Sequence, residues 1–414
     1  MADRIKMTVI VPTRERCDTL ASTLDSCVAQ DYPDLEIIVS DNFSRDDTAA
    51  VVKAVGDPRV RYINTGRRLD MAGNWEFALD HAGPGFVTYV GDDDALLPGA
   101  VGAAAGLIAE HGVKALAWQK VQYAWPDHIE PALRGMLFVP VQPWLMMVDS
   151  RRVLERVRRF RSGYDRLPCI YNSFVDVGML QGLRAEMGGR FFNCVTPDVF
   201  SGIVTALTAE RYLFSYRPLS VNGASRHSIG TSSMLVNRDD APAAEFIAET
   251  AGGIHPSLTR CPSIPVLVAD AFLQAGKVLP ARAGGLAPDM RELFDAMLRE
   301  AAVGSEEAFA LVRDAVLDIG RRNGVEQLAR RTVDRGPGIK RDQAVITPGM
   351  DASRETLVVD TKELGIKDVR EAGRLAASLL GPAGWTLIRQ PGSLANLGAR
   401  IAARLGYEVR WPWL

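Results

Sequence analysis

Between residues 7 and 100, short apolar runs rich in β-branched residues alternate with segments at helical spacing. The runs are MTVIVPT (7–13), LEIIVSDN (35–42), VRYINT (60–65) and GFVTYVG (85–91). Between them lie TLASTLDSCVAQ (19–30), DDTAAVVKAVG (46–56) and NWEFALDHA (74–82). Runs without polar alternation read as strands buried on both faces. Strands separated by helices predict a parallel sheet with covered faces. On such sheets ligands sit at the carboxyl ends of the strands. Asp41 and the run Asp92, Asp93, Asp94 both fall at such ends, so two acidic clusters converge on one sheet edge.

The rest of the sequence sets bounds. A chain of 414 residues has room for two or more domains of ~100–200 residues. A net charge of −2 does not suit a general polyanion binder. No nucleic-acid-binding motif or aromatic-basic platform is visible, so a nucleic-acid partner is not expected. The five cysteines (Cys17, Cys27, Cys169, Cys194, Cys261) form no CxxC pair, which fits a reducing cytoplasm and argues against a structural zinc site. The first residues have no long apolar core, and no run approaches the ~18 apolar residues of a membrane span.

After residue 100 the pattern loosens. VKALAWQKVQYAW (113–125) reads as one or two strands, and DSRRVLERVRRFRSGYD (149–165) as a basic helix. PLSVNGASRHSIGTSS (218–233) reads as a loop. From 241 to 330 the spacing is helical, beginning with APAAEFIAETAGG. A polar stretch (331–353) reads as a linker, and the tail as β-α-β-α-β, a small separate domain. The expected division is an α/β domain over 1–235 (1–100 for a nucleotide, 101–235 for an acceptor), a helical region over 236–335, and a linker with a small α/β domain over 336–414.

Three adjacent carboxylates raise one another's pKa unless a cation relieves them. A solvated acidic turn is the plain alternative. The triplet, however, follows an apolar strand at the ligand-binding edge. Mg²⁺ or Mn²⁺ takes one or two carboxylates and leaves its other positions to phosphate oxygens and water. The pattern therefore predicts a divalent cation and a diphosphate ligand.

The ordered stretches VIVPTRERCDTLASTLDSCVAQDYPDLEIIVSDNFSRDDT, NWEFAL and YVGDDDALLP resemble the N-terminal half of a family 2 glycosyltransferase with the GT-A fold. A looser resemblance runs to about residue 230, through TPDVFSG and PLSVNGASRHSIG, and is similar to members acting on bacterial surface polysaccharides. The resemblance implies an inverting transfer of a sugar from a nucleotide diphosphate, with a UDP-sugar favoured, to a saccharide or lipid-linked saccharide. It implies that Pro12, Thr13 and Arg14 meet the nucleotide, that Asp41 hydrogen-bonds the base, and that Asp92 meets the ribose or the metal. Asp93 matches the usual metal ligand. Many members read Asp-x-Asp-Asp, whereas this chain has Gly91 at the first position, so Asp92 and Asp94 form an alternative DxD pair.

Inversion needs a base that takes the acceptor proton. The resemblance implies Asp198 in TPDVFSG for that role, with Asp176 in NSFVDVG second. As a plainer role, Asp198 suits the N-cap of the helix that follows. His227 matches a histidine that completes the metal shell or touches the diphosphate, against an exposed loop histidine, and Arg226 beside it suits phosphate. Arg67 and Arg68 follow the third strand, where nucleotide contact and a solvated turn are both open. Asn74 reads as a cap or a link to the metal loop, and Trp75 as core. The arginines at 151, 152, 156, 158, 159 and 161 read as a solvated helix face, or as contact with an anionic acceptor or the inner membrane surface.

Two other readings compete. A sugar nucleotidyltransferase would carry a Gly-rich phosphate loop after the first strand, where this chain reads VPTRERCDTL. A binding module that kept the fold without catalysis would be signalled by loss of the acidic positions or of Asp198, which are present. The tail is left for dimerisation, acceptor docking or membrane-side assembly.

Overall fold

The computed structural model describes residues 5–226, 253–337, 347–351 and 354–382, together with the backbone of 386–388. Fifteen strands are described, in two sheets. The first half of the chain contributes β1 (Met7–Thr13), β2 (Leu35–Asp41), β3 (Val60–Asn64), β4 (Phe86–Tyr89), β5 (Ala95–Leu96), β6 (Ala115–Trp118), β7 (Val121–Ala124), β8 (Met136–Pro140), β9 (Trp144–Asp149) and β10 (Ser173–Asp176). The second half contributes β11 (Arg211–Ser215), β12 (Ser220–Ala224), β13 (Gly349–Asp351), β14 (Thr356–Asp360) and β15 (Thr386–Ile388). The nine-stranded sheet has the order β15-β9-β11-β6-β10-β4-β1-β2-β3.

The expected α/β class is what the structure has. The strands β3, β2, β1 and β4 run parallel, as the buried apolar runs predict. Register sets Pro12 beside Ser40 and Thr13 beside Asp41. The β4 strand lies on the other side of β1, so Asp41 and Asp92 flank the end of β1 at one edge.

The helices follow their sequence signals with shifted ends. The first two are α1 (Cys17–Val28) and α2 (Thr48–Val55), the latter ending at left-handed Gly56. The next, α3 (Met71–Leu79), begins three residues before its apolar spacing, because the Asp70 side chain accepts from Gly73 N. Asn74 is therefore inside α3 and not its cap; its Oδ1 accepts from Ser40 Oγ at 2.7 Å. Trp75 is core, stacked on Tyr89 with ring centroids 4.5 Å apart. Further helices are α4 (Ala100–His111), α5 (Ser150–Arg158), α6 (Val177–Glu186) and α7 (Pro197–Thr208).

VKALAWQKVQYAW forms two strands, β6 and β7, which lie in different sheets. PLSVNGASRHSIGTSS is not all loop: its first part is β12, parallel to β7, and from residue 227 on it lies outside the described residues.

The helical expectation for 241–330 is met by Ile264–Val278, Met290–Ala301, Glu306–Arg322 and Glu326–Arg335, while APAAEFIAETAGG lies outside the described residues. These helices share a core of Leu293, Phe294, Met297, Val312, Val316 and Ile319. The region is also joined to the α/β core, since Ala271, Phe272 and Ala275 of Ile264–Val278 pack with the cluster under α7.

The basic helix α5 takes part in this join. Arg158 donates to Ala287 O, Arg161 pairs with Glu292, and Arg158 and Arg159 pair with Glu155. Those three arginines therefore serve contacts within the chain, whereas Arg151, Arg152 and Arg156 are exposed.

The described part of the tail is joined to the first domain. In the second sheet β14 pairs antiparallel with β8 over five residues, from Thr356 beside Pro140 to Asp360 beside Met136. The tail helix Val369–Leu380 buries Val369, Ala372, Ala376 and Leu380 in the same cluster as α1, β5 and β12. The apolar face of this described helix is thus buried on the first domain.

Candidate active site

The site grows from three strand ends. Asp41, 1% exposed, closes β2 and organises the turn beyond it. Its Oδ1 accepts from Ser44 N at 2.9 Å, and its Oδ2 accepts from Asn64 Nδ2 at 2.9 Å and from the Tyr62 hydroxyl. Most of the acceptor capacity of this carboxylate is thus used within the protein. Asn42 bridges to the next loop, donating to Leu69 O and accepting from Leu69 N, both at 2.8 Å. That bridge holds Arg67 and Arg68 beside β2.

A cleft of about 270 Å³ opens there, lined by Arg14, Phe43, Arg45, Arg67 and Arg68 among others. Phe43 is 44% exposed at φ 60°, and Glu15 sits at φ 53°. Non-glycine residues in the left-handed region carry strain that the surroundings must hold. Here Glu15 holds it, since its carboxylate accepts from Arg45 N and Asp46 N.

The carboxylate loop lies on the other side of β1. The three aspartates do not point to one place, and each has different partners. Asp92 accepts from Arg16 Nη1 at 2.9 Å. Burial raises the Asp92 carboxyl; Arg16 opposes that, while Asp93 adds to it. Burial alone would lower the Arg16 guanidinium, but Asp92 and Asp93 outweigh it and hold the charge. Asp93 Oδ2 accepts from Ser225 Oγ at 2.7 Å.

Asp94 is bound to the backbone on both oxygens. Its Oδ1 accepts from Gly223 N at 2.7 Å and its Oδ2 from Gly91 N at 3.0 Å. Burial first, then Asp93, pushes its carboxyl up to about 7. Asp94 therefore shapes the loop, and the alternative Asp92/Asp94 pair loses support as a metal set.

Two stretches that stood apart in the sequence meet here. The VNGASRH segment brings β12 so close that a Cβ on Gly223 would lie 1.8 Å from Asp93 O. Only glycine allows that approach. Ser225 ends on Asp93. Arg226, by contrast, faces Asp127 with Nε 3.7 Å from its carboxylate, and His227 lies outside the described residues.

The departure at Gly91 also has a physical reason. A Cβ there would lie 2.2 Å from the Tyr171 hydroxyl and 2.8 Å from Asp94 Oδ2. The phenol occupies the space that the family's first aspartate would need, and bonds Asp94. Gly91→Asp should therefore overpack the loop and cost ~1–3 kcal/mol. A thermal-unfolding midpoint within a degree of wild type would contradict this, and Tyr171→Ala in the same chain should recover part of the loss.

On the acceptor side, Asp198 is the second residue of α7. It is not the N-cap, which is Thr196; Pro197 occupies the first turn as its missing N–H allows. The carboxylate faces the helix's positive end and takes the Val199 N–H. Burial raises it, while that N–H and Lys120 pull it back. The start of α7 is fixed by Ser201, which donates to Asp198 O and accepts from Ile170 N at 3.0 Å.

Asp176 does not share this edge. It pairs with Phe86 at the start of β4, caps α6 through Met179 N at 2.8 Å, and meets Lys114 at 3.2 Å. Its position opposite the carboxyl end of β4 removes it as second choice for the base.

Arg16, Lys120 and Tyr171 were missed by sequence reasoning. Arg16 had a signal, as a second arginine after the first strand in VPTRER. The other two had none, because only tertiary packing brings them to the loop.

Parallel strands with carboxylates and arginines gathered at their carboxyl edge define an α/β domain with its ligand edge at the strand ends. Residues 8–162 match the family model "Glycosyl transferase family 2". The GalNAc(5)-diNAcBac-PP-undecaprenol beta-1,3-glucosyltransferase of Campylobacter jejuni is 44% identical over 99 residues, 23% of this chain and 32% of the relative. The UDP-Glc:alpha-D-GlcNAc-diphosphoundecaprenol beta-1,3-glucosyltransferase WfaP of Escherichia coli is 28% identical over 88 residues, 21% and 35% of the two chains. The chain thus spans about a third of the length of these relatives. Among solved structures, S. aureus TarS 1-349 in complex with UDP-GlcNAc superposes with a TM-score of 0.44 at 16% identity, covering 80% of this chain and 91% of that one.

Proposed function

We propose that this chain is an inverting glycosyltransferase that moves a sugar from a nucleotide diphosphate, with UDP favoured, to a hydroxyl of a saccharide or lipid-linked saccharide in surface-polysaccharide synthesis. The observation that carries the reading is the buried carboxylate loop at the sheet's carboxyl edge, inside the segment that matches the family 2 model. The two curated relatives above are named for glucosyl transfer to diphosphoundecaprenol-linked sugars, which supports a lipid-linked acceptor.

Asp92 and Asp93 offer hard oxygen donors on a loop where Arg16 and Lys120 stand against three carboxylates. That excess negative charge fits Mn²⁺ or Mg²⁺ held by these two residues, with His227 as a further ligand. Among the described residues no three ligating side chains converge, as expected where phosphate and water complete the shell. When bound, such an ion stabilises negative charge on the departing diphosphate.

The residues of the chain do the rest. Pro12, Thr13, Arg14, Asp41 and Arg68 line the nucleotide side, and Asp92 faces the ribose or the ion. Asp198 takes the proton from the acceptor hydroxyl. Among the described residues no helix is long and apolar enough to cross a membrane. A cytoplasmic enzyme reaching a lipid-linked acceptor would then work at the membrane's inner face, and exposed Arg151, Arg152 and Arg156 suit its anionic surface.

The test is release of UDP from UDP-glucose, UDP-galactose, UDP-GlcNAc and UDP-GalNAc, with and without Mn²⁺. Metal-dependent release from one donor is expected, accelerated by a diphosphoundecaprenol-linked saccharide. No release from any of them, with UDP still bound, would favour the binding module. Asp93→Ala should abolish metal-dependent donor binding while the chain stays folded. Full activity in that variant would remove Asp93 as a metal ligand.

A further inference from the structure

Lys120 lies in the turn between β6 and β7. Both β4 and β6 pair antiparallel with β10, so they run in the same direction. Lys120 therefore leaves the sheet at the same edge as Asp92–Asp94. Its Nζ sits 5.0 Å from the centroid of the Tyr171 ring, as in a cation–π contact. That ring stacks with Trp75 at 5.9 Å, and its hydroxyl bonds Asp94. The ammonium acts on Asp94 of the carboxylate loop and on Asp198 of α7.

The segment that carries Tyr171 also anchors α7. Ile170 N bonds Ser201, and a Cβ on Gly202 would lie 2.4 Å from Cys169 Sγ. The cation is thus mounted on the piece of chain that positions the helix bearing Asp198.

We propose that Lys120 is a positioning residue for the acceptor-side base: its ammonium, seated on Tyr171 between the carboxylate loop and α7, keeps the Asp198 carboxylate charged and in place. The inference rests on the proposed role of Asp198 as base. A partly buried carboxylate favours its neutral, inactive form, and a nearby cation reverses that preference. Among the described residues Tyr164 and Cys169 face Asp198, with Asp165 acting on both of them. Burial raises both, so they stay neutral and leave Lys120 as the charge that sets the balance.

The sign follows. Loss of Lys120 raises the Asp198 carboxyl further, so less of it is ionised at a given pH and the acid limb of the rate moves to higher pH. The experiment is donor hydrolysis across pH 5–9 by the full chain, with Mn²⁺ and whichever of the four UDP-sugars turns over fastest, alongside UDP affinity by calorimetry.

Lys120→Met should move the acid limb of kcat/KM up by about one pH unit, lowering kcat/KM by up to about tenfold below the limb and leaving it unchanged above it. Donor KM and UDP affinity should stay within about twofold, as uniform binding is untouched. Lys120→Arg should restore the limb. An unchanged limb, or a raised donor KM with wild-type kcat, would overturn the inference; the latter would place Lys120 on the diphosphate. Asp198→Asn run in parallel separates the two levels. If Asp198→Asn loses hydrolysis while Lys120→Met behaves as wild type, only the inference fails. If Asp198→Asn keeps wild-type hydrolysis, or wild type turns over none of the four donors, the underlying reading fails and the inference falls with it.

Discussion

Asp198→Asn is expected to lower sugar transfer by ~10²–10⁴-fold, the usual worth of a general base. The amide keeps the size of the carboxylate and still offers its oxygen to the Val199 N–H at the start of α7. It cannot take the proton of the acceptor hydroxyl. UDP affinity should therefore hold, and the thermal midpoint should stay close to wild type, because the Ser201 bond to Asp198 is to its backbone oxygen. Single-turnover transfer and UDP calorimetry on the same preparation separate the effects. Transfer at the wild-type rate would remove Asp198 from the chemistry. Weak UDP binding with wild-type turnover of bound donor would move it to the donor side.

The second large effect concerns the tail. A chain ending at residue 336 is expected to lose most of its stability. Truncation strips the tail helix from α1, β5 and β12, and exposes Leu97 and Val221, which pack against Gly373. It also removes the backbone oxygens of Leu380 and Gly381, which accept from Arg217 at 3.0 and 2.6 Å, and the Arg370–Asp25 pair at 2.8 Å. Each large apolar side chain buried contributes ~1.5–3 kcal/mol. Losing Val369 and Leu380 alone is therefore large against a total stability of ~5–15 kcal/mol. Leu380→Ala is the milder test, with an expected loss of ~2–5 kcal/mol in denaturant unfolding. A truncated chain that melts with the wild-type midpoint would make the tail an independent unit.

The effect should reach the site. The tail helix lies behind β5 and β12, the strands that carry Ala95 after Asp94 and Gly223 against Asp93. Leu380→Ala should thus weaken UDP binding as well as stability.

The legibility of the chain follows contiguity. The strand runs of 7–91 were readable because each is buried on both faces and shows its apolar character within a few residues. Asp41, Asp92–Asp94 and Asp198 were readable as candidates because each lies in a short local pattern. What those carboxylates do with their oxygens was not. The Asp94 partners include Gly223, 129 residues away. The reason for Gly91 is a tyrosine at position 171. β12 was read as loop because VNGAS is polar and Gly-bearing, yet that glycine is what lets the strand touch the carboxylate loop. The β-α-β order of the tail looks self-sufficient in sequence, yet its described helix buries its apolar face against α1, β5 and β12. The charge opposite the triplet was legible only as a requirement. Arg16 and Lys120 meet part of it, and the remainder is the case for a divalent ion.

The most direct measurement is the thermal midpoint of the full chain with UDP, GDP, CMP and dTDP, each with and without Mn²⁺. A ligand bound only by the folded state at 100 times its dissociation constant adds about 2.7 kcal/mol. The account predicts a rise of several degrees with UDP that requires Mn²⁺ and vanishes in Asp93→Ala. No rise with any nucleotide, or an equal rise without the metal and in Asp93→Ala, would contradict it.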